Sequence, residues 1–297
     1  MKKYNIVIPI FIYNGLQISK KNDYKSDNAI KFMVQSIADL DANINHFTQN
    51  GKLFTFYIES SETKIIEQIK NHINIDAVCF NIDYTPFAKK RTQDMQKYCS
   101  THNIICDTYE DYLLAPMGTF NRNDDIYKVF TPFYRNGESL TKVIPKPKRI
   151  NHLYNNVISK QQISEIPFLK NHKNHEIKLE PTTIIGGRKH GVKLLRNISK
   201  QQRMYNELKD MLIYNTTGLS PYIKFGCISI REVYWFIKIK LNSDSKLISQ
   251  LYWREFYYYI INKHPKMFIN QNFQNVKIKW NAQKEHKVLF KKWSNGK

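Results

Sequence analysis

Ile6-Val-Ile-Pro-Ile-Phe-Ile-Tyr13 is an apolar run of strand length with one proline, Pro9, inside it. A strand with one wet face alternates apolar and polar residues. An unbroken run is the pattern of a strand buried on both faces, as in a parallel sheet covered by helices. Lys2-Lys3 ahead of the run imitates the start of a secretory leader. Pro9 interrupts that leader, Tyr13-Asn14 closes it and no small-residue cleavage site follows, so a buried strand is the better reading.

The residues beyond it fit the same scheme. Ile30, Met33, Ile37, Leu40, Ile44 and Phe47 recur at three- and four-residue spacing, which predicts a helix with Asp27 capping its start and Gly51 ending it. A strand is predicted at Leu53 to Ile58, a helix around Ile65, Ile66 and Ile69, and a strand at Ala77 to Ile82. A helix carrying Ala88, Met95 and Cys99 then leads to a last strand at Ile104 to Cys106. Strands alternating with helices imply an α/β domain with a parallel sheet and right-handed crossovers, here assigned to residues 1–135. Residues 136–185 hold Pro145, Pro147, Pro167 and Pro181 with little periodicity and read as an interdomain linker running over the surface. After Gly186-Gly187 the pattern turns helical. Leu195, Ile198, Tyr205, Leu208 and Leu212 suit amphipathic helices, Ser229-Ile-Arg-Glu232 is a capping-box sequence, and a further helix is expected from about Ser245 through Ile260. Residues 186–297 therefore read as an all-helical segment.

Composition narrows the classes. At 297 residues, 42% hydrophobic and 24% charged, the chain has room for two domains and a sizeable core. No stretch approaches membrane-spanning length, which points to an intracellular protein, cytoplasmic or nuclear. Cys79, Cys99, Cys106 and Cys227 show no CxxC or Cys/His ligand spacing, so they read as reduced thiols and no metal site is expected. The formal charge of +21 suggests an anionic partner, nucleic acid first. Only nine of the 46 basic residues are arginine, however, and a lysine excess beside abundant Asn and Ile is also what drift toward A- and T-rich codons produces. Charge supports a nucleic-acid partner without deciding it.

Two stretches carry chemistry. In Asn215-Thr-Thr-Gly-Leu-Ser-Pro-Tyr-Ile-Lys-Phe-Gly226, Ser220 followed by Pro221 is a helix-start signal with two further hydroxyls, Thr216 and Thr217, beside it. It reads either as a capped helix with a hydroxyl-rich turn or as a phosphate cradle at a helix N-terminus. In Gln250-Leu-Tyr-Trp-Arg-Glu-Phe-Tyr-Tyr-Tyr259, helical spacing puts Trp253 and Tyr257 on one face and Arg254 and Tyr258 on the next. That is either an aromatic core stripe with a structural Arg–Glu pair or a cleft face that stacks a base and holds a phosphate.

Together the stretches resemble one family. Thr216-Thr-x-Leu-Ser-Pro-Tyr, Phe225-Gly-x-Ile-Ser-x-Arg-Glu-Val-Tyr234 and Trp253-Arg-Glu-Phe256 are similar to the flavin domain of DNA photolyases and cryptochromes. Tyr24-Lys-Ser-Asp-Asn28, Phe80-Asn-x-Asp-Tyr-Thr-Pro-Phe87 and Tyr127-Lys-Val-Phe-Thr-Pro-Phe133 are similar to that family's antenna domain. The resemblance implies a Rossmann-like α/β antenna domain, a long linker and a helical FAD-binding domain. It further implies FAD, an antenna folate or deazaflavin, and light-driven repair of a pyrimidine dimer flipped out of UV-damaged DNA. By position, Tyr205, Thr216, Thr217, Leu219, Ser220, Gln250 and Arg254 match FAD contacts, and Trp253 with Tyr257 matches the face met by the lesion.

Two departures from the family pattern lead us to expect an incomplete member. The family's first strand, which lies mid-sheet beside the strand that Ile6 to Tyr13 resembles, has no match here. Phe290 to Lys297 resembles the stretch just before a Thr-Gly-Tyr-Pro motif, so the rest of the FAD domain is not represented. Trp280 and Trp293 are not expected to belong to the family's photoreducing Trp chain. The expectation is a truncated photolyase-like protein without catalytic residues of its own that is not active alone, with separately encoded fragments as candidate partners. A non-enzymatic basic nucleic-acid-binding remnant and a cryptochrome-like signalling protein stand as alternatives.

Overall fold

Pro9 divides the first apolar run into two pieces that pair with different neighbours. In the computed structural model, which describes residues 3–48, 50–123, 125–147, 156–177, 184–241, 245–269 and 284–296, strand β1 covers Ile10–Asn14 and not the whole run from Ile6. Val7 forms a separate parallel bridge to Val157. Proline has no N–H for a ladder, but the Pro9 carbonyl still accepts from Phe54 N at 3.0 Å. After β1 come a single turn, α1 (Gly15–Ile18), and then α2 (Asp27–Phe47), β2 (Phe54–Ile58), α3 (Thr63–Lys70), β3 (Ala77–Asn81), α4 (Pro86–Thr101) and β4 (Ile105–Tyr109). The α/β alternation is as the sequence pattern implies. Two boundary expectations need correction. Ser26, not Asp27, caps α2, its Oγ accepting from Ala29 N, and the helix ends at Phe47, short of Gly51.

The strands form two separate parallel pairs among the described residues. β1 pairs with β2 in the register Ile10↔Phe54 to Asn14↔Ile58, and β3 pairs with β4 from Ala77↔Ile105 to Asn81↔Tyr109. Phe54, Thr55 and Phe56 are buried in succession, as a strand covered on both faces requires. The buried Thr55 is satisfied by residues far along the chain: its N–H by Asn174 Oδ1 at 3.0 Å and its hydroxyl by the His175 carbonyl at 2.9 Å. Helix α3 covers both pairs, with Ile65 and Ile69 in the core against Phe54 and Phe56, and Ile66 in the core with Met95, Cys99 and Ile104.

Helices α5 (Phe130–Ser139), α6 (Lys160–Glu165) and α7 (Pro167–Asn171) follow. The stretch read as a surface linker begins inside α5 and contributes Ile158 and Leu169, both almost fully buried, to the Phe54–Phe56 core. The helical part consists of α8 (Arg188–Gln201), α9 (Tyr205–Leu208), α10 (Ser220–Lys224), α11 (Ile230–Lys240) and α12 (Lys246–Lys263). Leu195 and Ile198 are buried as expected, but Leu212 is fully exposed and lies outside any helix. The start of α8 is held by α2: the N–H groups of Gly186, Gly187 and Arg188 donate to Gln35 Oε1 (2.7 Å), Ser36 Oγ (3.0 Å) and Asp39 Oδ2 (2.8 Å). These are donors that a helix N-terminus leaves unpaired, and the Asp39 carboxylate also suits its positive end.

The chain separates into two compact units, Met1–Lys263 and His264–Lys297. The second unit carries α13 (Lys284–Ser294), on which Val288, Leu289, Phe290 and Trp293 are exposed. Trp280 and Pro181 lie outside the described residues. Among the described residues no helix is long and apolar enough to cross a membrane.

Candidate functional site

Helix α12 buries Leu247, Ile248, Leu251, Tyr252, Glu255, Phe256, Tyr259 and Ile260, pairs that repeat every four residues and make one stripe. Beside the stripe, Trp253 and Tyr257 stack at 5.7 Å, as their spacing predicts, and Tyr257 is half exposed. Phe130 at the start of α5 lies flat on Trp253 at 3.6 Å and 7°. Phe130 belongs to the Tyr127–Phe133 motif, but nothing local to that motif pairs it with Trp253. With Phe130 stacked on Trp253, Tyr257 is the more open ring of this aromatic face.

The neighbouring face of α12 turns to the segment 110–114 that follows β4. The Arg254 guanidinium sits 4.4 Å from the Tyr112 ring centre and 4.9 Å from that of Tyr258, and its Nη1 donates to the Tyr112 carbonyl at 2.8 Å. Its Nη2 is buried with no protein partner among the described residues. Glu255, fully buried, accepts from Leu114 N at 3.1 Å and lies 3.3 Å from Arg254 Nη1. Burial raises its carboxyl from the ordinary carboxylate range to about 8, against the opposing pull of Arg254, the Leu114 N–H and Arg231. Arg231 on α11 completes the contact, donating to the carbonyls of Leu113, Leu114 and Glu110. The sequence leaves Arg254 open between a structural pair with Glu255 and a ligand contact; in the structure Nη1 of Arg254 and the Glu255 carboxyl both hold the 110–114 segment.

The second cluster gathers at the other end of α12. Tyr205 opens α9 and is buried. Asn206 Oδ1 accepts from Lys246 N at 2.9 Å, tying α9 to the first turn of α12, where Gln250 is exposed one turn further on. Two contacts pin the loop before α10 to the end of α8: Gln202 Nε2 to the Asn215 carbonyl and Tyr214 hydroxyl to the Gln201 carbonyl, both 2.9 Å. The loop exposes Thr216, half-exposes Thr217 and turns at Gly218, whose φ of 63° suits glycine. Thr217 Oγ1 accepts from Leu219 N at 3.3 Å.

The helix-start reading is corrected in detail. Helix α10 begins at Ser220 with Leu219 in the cap position, and no side chain closes it. The Ser220 hydroxyl is therefore not used as a cap and stays exposed. A five-residue helix aligns few peptide dipoles, so an anion here would depend on the hydroxyls more than on the helix end. Ser220 also lines a pocket of about 380 Å³ with Pro221, Lys224, Phe225 and, from α2, Asn28 and Phe32. The Ser229 box does not form, although Ser229 still caps the helix. Ser229 Oγ accepts from Arg231 N, while Glu232 pairs with both Arg188 Nη atoms at 2.9 and 3.0 Å.

Gln202 was not singled out by the sequence reading. It is buried, and its Oε1 has no partner among the described residues. A buried acceptor without a donor, beside a loop of exposed hydroxyls, fits the polar half of a nucleotide cofactor. Among the described residues no group of three or more His, Cys, Asp or Glu could hold a metal ion.

Parallel strands under covering helices, a helical part with a hydroxyl loop, and an aromatic face on its longest buried helix define a two-part α/β and helical protein. The comparisons give the class a name. The DNA photolyase family model matches residues 2–149. The chain is 23% identical to Cryptochrome-1 of Anopheles gambiae, over 87% of this chain and 52% of that protein. It is 29% identical to the deoxyribodipyrimidine photo-lyase of Alkalihalophilus pseudofirmus, over 71% of this chain and 45% of that one. Among solved structures, the archaeal photolyase from Sulfolobus tokodaii, crystallised with two FAD molecules, superposes with a TM-score of 0.71. It is 27% identical and matches 100% of this chain and 62% of its own. The cryptochrome of Synechocystis sp. PCC6803 gives a TM-score of 0.75 at 18% identity, over 98% of this chain and 62% of that one. The chain belongs to the photolyase/cryptochrome family, and it spans about half the length of the curated relatives it matches.

Proposed function

We propose that this chain serves a light-driven flavoprotein of the photolyase type, with FAD against the 214–220 loop and UV-damaged DNA at the Trp253–Tyr257 face. The loop carries the proposal. Its hydroxyls on Thr216, Thr217 and Ser220 follow Asn215, whose carbonyl accepts from Nε2 of Gln202, the residue with the orphaned Oε1 acceptor. Asn206, next to Tyr205, ties α9 to the start of the helix that bears Gln250 and Arg254. In this reading Tyr205, Thr216, Thr217, Leu219 and Ser220 hold the phosphates and ribose, and Gln250 and Arg254 line the cofactor further along α12. Reduced FAD, when bound, supplies the light-excited electron donor. The protein's part is to orient it and to present stacking surface to a flipped base. A DNA substrate places the protein in a compartment holding DNA, cytoplasm or nucleus.

We keep as part of the proposal the division into an antenna-type domain (1–135) that takes a folate or deazaflavin, a connecting segment (136–185) and a helical FAD domain (186–297). Separately encoded fragments remain candidate partners. The exposed loop gives FAD little enclosure, so the chain alone is expected to bind it weakly and to be inactive by itself. The charge of +21 favours one second reading, a non-enzymatic nucleic-acid-binding protein, and the cryptochromes among the relatives favour another, light signalling.

The test is to titrate FAD into the full chain, follow flavin fluorescence polarisation, and then desalt. Saturable binding that is lost on desalting, and weakened about tenfold or more by Thr216→Ala with Ser220→Ala, is expected from the loss of two hydrogen bonds. Unchanged affinity in the double variant would remove FAD from this loop. Stoichiometric flavin retained through desalting would show a more enclosed site than proposed.

A further inference from the structure

Leu212 and Ile213 are the two central residues of a tight turn, and both are almost wholly exposed, at 107% and 93%. Tyr214 N donates to the Met211 carbonyl at 3.0 Å, which closes the turn across them. Met211 before them and Met204 just ahead of α9 are more than half exposed as well. Turns are ordinarily built from Gly, Pro, Asn, Asp and Ser, whose backbone freedom or short polar side chains suit the bend. Leucine and isoleucine bring neither, and at this exposure they do not hold the fold. Single apolar residues on a surface need no explanation, but a run of three at one tip marks a contact surface.

The turn is anchored on both sides. Met211 N donates to the Leu208 carbonyl at 2.9 Å, at the end of α9. Beyond the tip, the Tyr214 hydroxyl and the Asn215 carbonyl are bound to Gln201 and Gln202, at the end of α8. The tip is thus a fixed projection.

Its surroundings are basic. Lys200 and Arg203 at the end of α8 and Lys246 at the start of α12 are exposed, and Lys209 pairs with Asp210 at 2.6 Å. Against these four cations stand two carboxylates, Glu207 and Asp210. An apolar tip inside a basic collar fits a partner with anionic groups outside and apolar surface within. A DNA duplex has that build, with phosphates around stacked bases. Two side chains fill one base step, whereas a lipid surface holds a protein by a broader apolar face. The neighbourhood favours DNA too. Asn206 on α9 binds Lys246 N, and Trp253 lies about 10 Å further along α12, or about three base steps.

We propose that Leu212 and Ile213 form an apolar wedge that enters the base stack of a DNA duplex. The wedge parts two neighbouring base pairs, and its side chains replace the contacts that the separated bases lose. The collar holds the phosphates on either side. Opening the stack in this way lowers the cost of turning a base out toward Trp253 and Tyr257. The inference rests on the DNA reading above and adds two residues to it.

The test uses the full chain and a duplex with a pyrimidine–pyrimidine mismatch flanked by 2-aminopurine, whose fluorescence rises on unstacking. Anisotropy of a labelled strand follows binding in the same titration, at about 50 mM salt, where phosphate contacts are strong. Leu212→Ser with Ile213→Ser removes the wedge at exposed positions, so the melting temperature should stay the same. The parent chain is expected to raise the fluorescence about twofold or more, and the double variant to leave it near the baseline. Binding should weaken less than about threefold, because the phosphate contacts remain. An equal rise with the double variant overturns the wedge and leaves the DNA reading standing. No binding by the parent chain overturns both. Binding by the parent chain without a rise also overturns the wedge. If the parent then pellets with phosphatidylserine vesicles or sediments as a dimer, and the double variant does not, the turn belongs to a lipid surface or to a second copy of this chain.

Discussion

Glu255 is a fully buried carboxyl in the middle of an otherwise apolar helix stripe, and its protonation state couples to folding. With its carboxyl raised to about 8, the folded chain holds a proton that the unfolded chain has already released at neutral pH. The unfolding free energy must then fall as pH rises from the ordinary carboxylate range toward about 8, and Glu255 adds no pH dependence below that window. Glu255→Gln keeps an acceptor for Leu114 N and removes the titration. The variant should show a flatter melting temperature across that window and gain stability over the parent toward its upper end, as measured by thermal melts at a series of pH values. If the two chains track each other from pH to pH, the carboxyl is not perturbed as described. Composition could not have shown this. The Arg–Glu pair was legible as a pair, but its burial depends on the 110–114 segment arriving from far away in sequence.

Helices α5 and α12 meet at Gly137, where a Cβ would stand 2.3 Å from Tyr252 Cε1. The Tyr252 hydroxyl also donates to the Gly137 carbonyl at 2.9 Å, and the ring is fully buried, so it has nowhere to move. Gly137→Ala should therefore destabilise the chain by about 1–3 kcal/mol through overpacking, even though alanine is the better helix former. Urea unfolding checks this; a neutral or stabilised variant would mean that the α5–α12 contact yields more readily than the geometry allows. Elements of this kind differ in how well the sequence announces them. The strands and the helices between them are legible because burial on both faces leaves a continuous apolar run such as Ile6 to Tyr13 in a strand, and burial on one face leaves a period of 3.6 in a helix. Residues 136–185 read as linker in the sequence because the helices α6 and α7 within them have six and five residues, too short to display a period. Their Ile158 and Leu169 are buried by partners more than a hundred residues away. The same holds in the candidate site. The Thr216–Ser220 loop was legible from local chemistry, whereas Phe130 and Gln202 acquire their roles only through contacts made in three dimensions.

On the scale of the whole molecule, the proposed DNA partner would meet a charge of +21 dominated by lysine. Binding should be sequence-independent and lose about a hundredfold or more in affinity between about 50 and 200 mM salt, through counterion release. Titrations of damaged and undamaged duplexes at several salt concentrations test this. A salt-resistant preference for damaged DNA would instead indicate an assembled lesion pocket, and Trp253→Ala should then abolish that preference. A Trp253 that merely packs on Phe130 would show itself as lost stability with DNA binding unchanged. The junction at Gly186–Arg188 has a consequence for how the polypeptide can be divided. The opening donors of α8 are held by side chains of α2, some 150 residues earlier. A protease cut ahead of Gly186 would sever the chain but not this junction, so the nicked halves should co-elute. A recombinant fragment starting at Gly186 would carry its opening amides bare and depend on the other half for solubility.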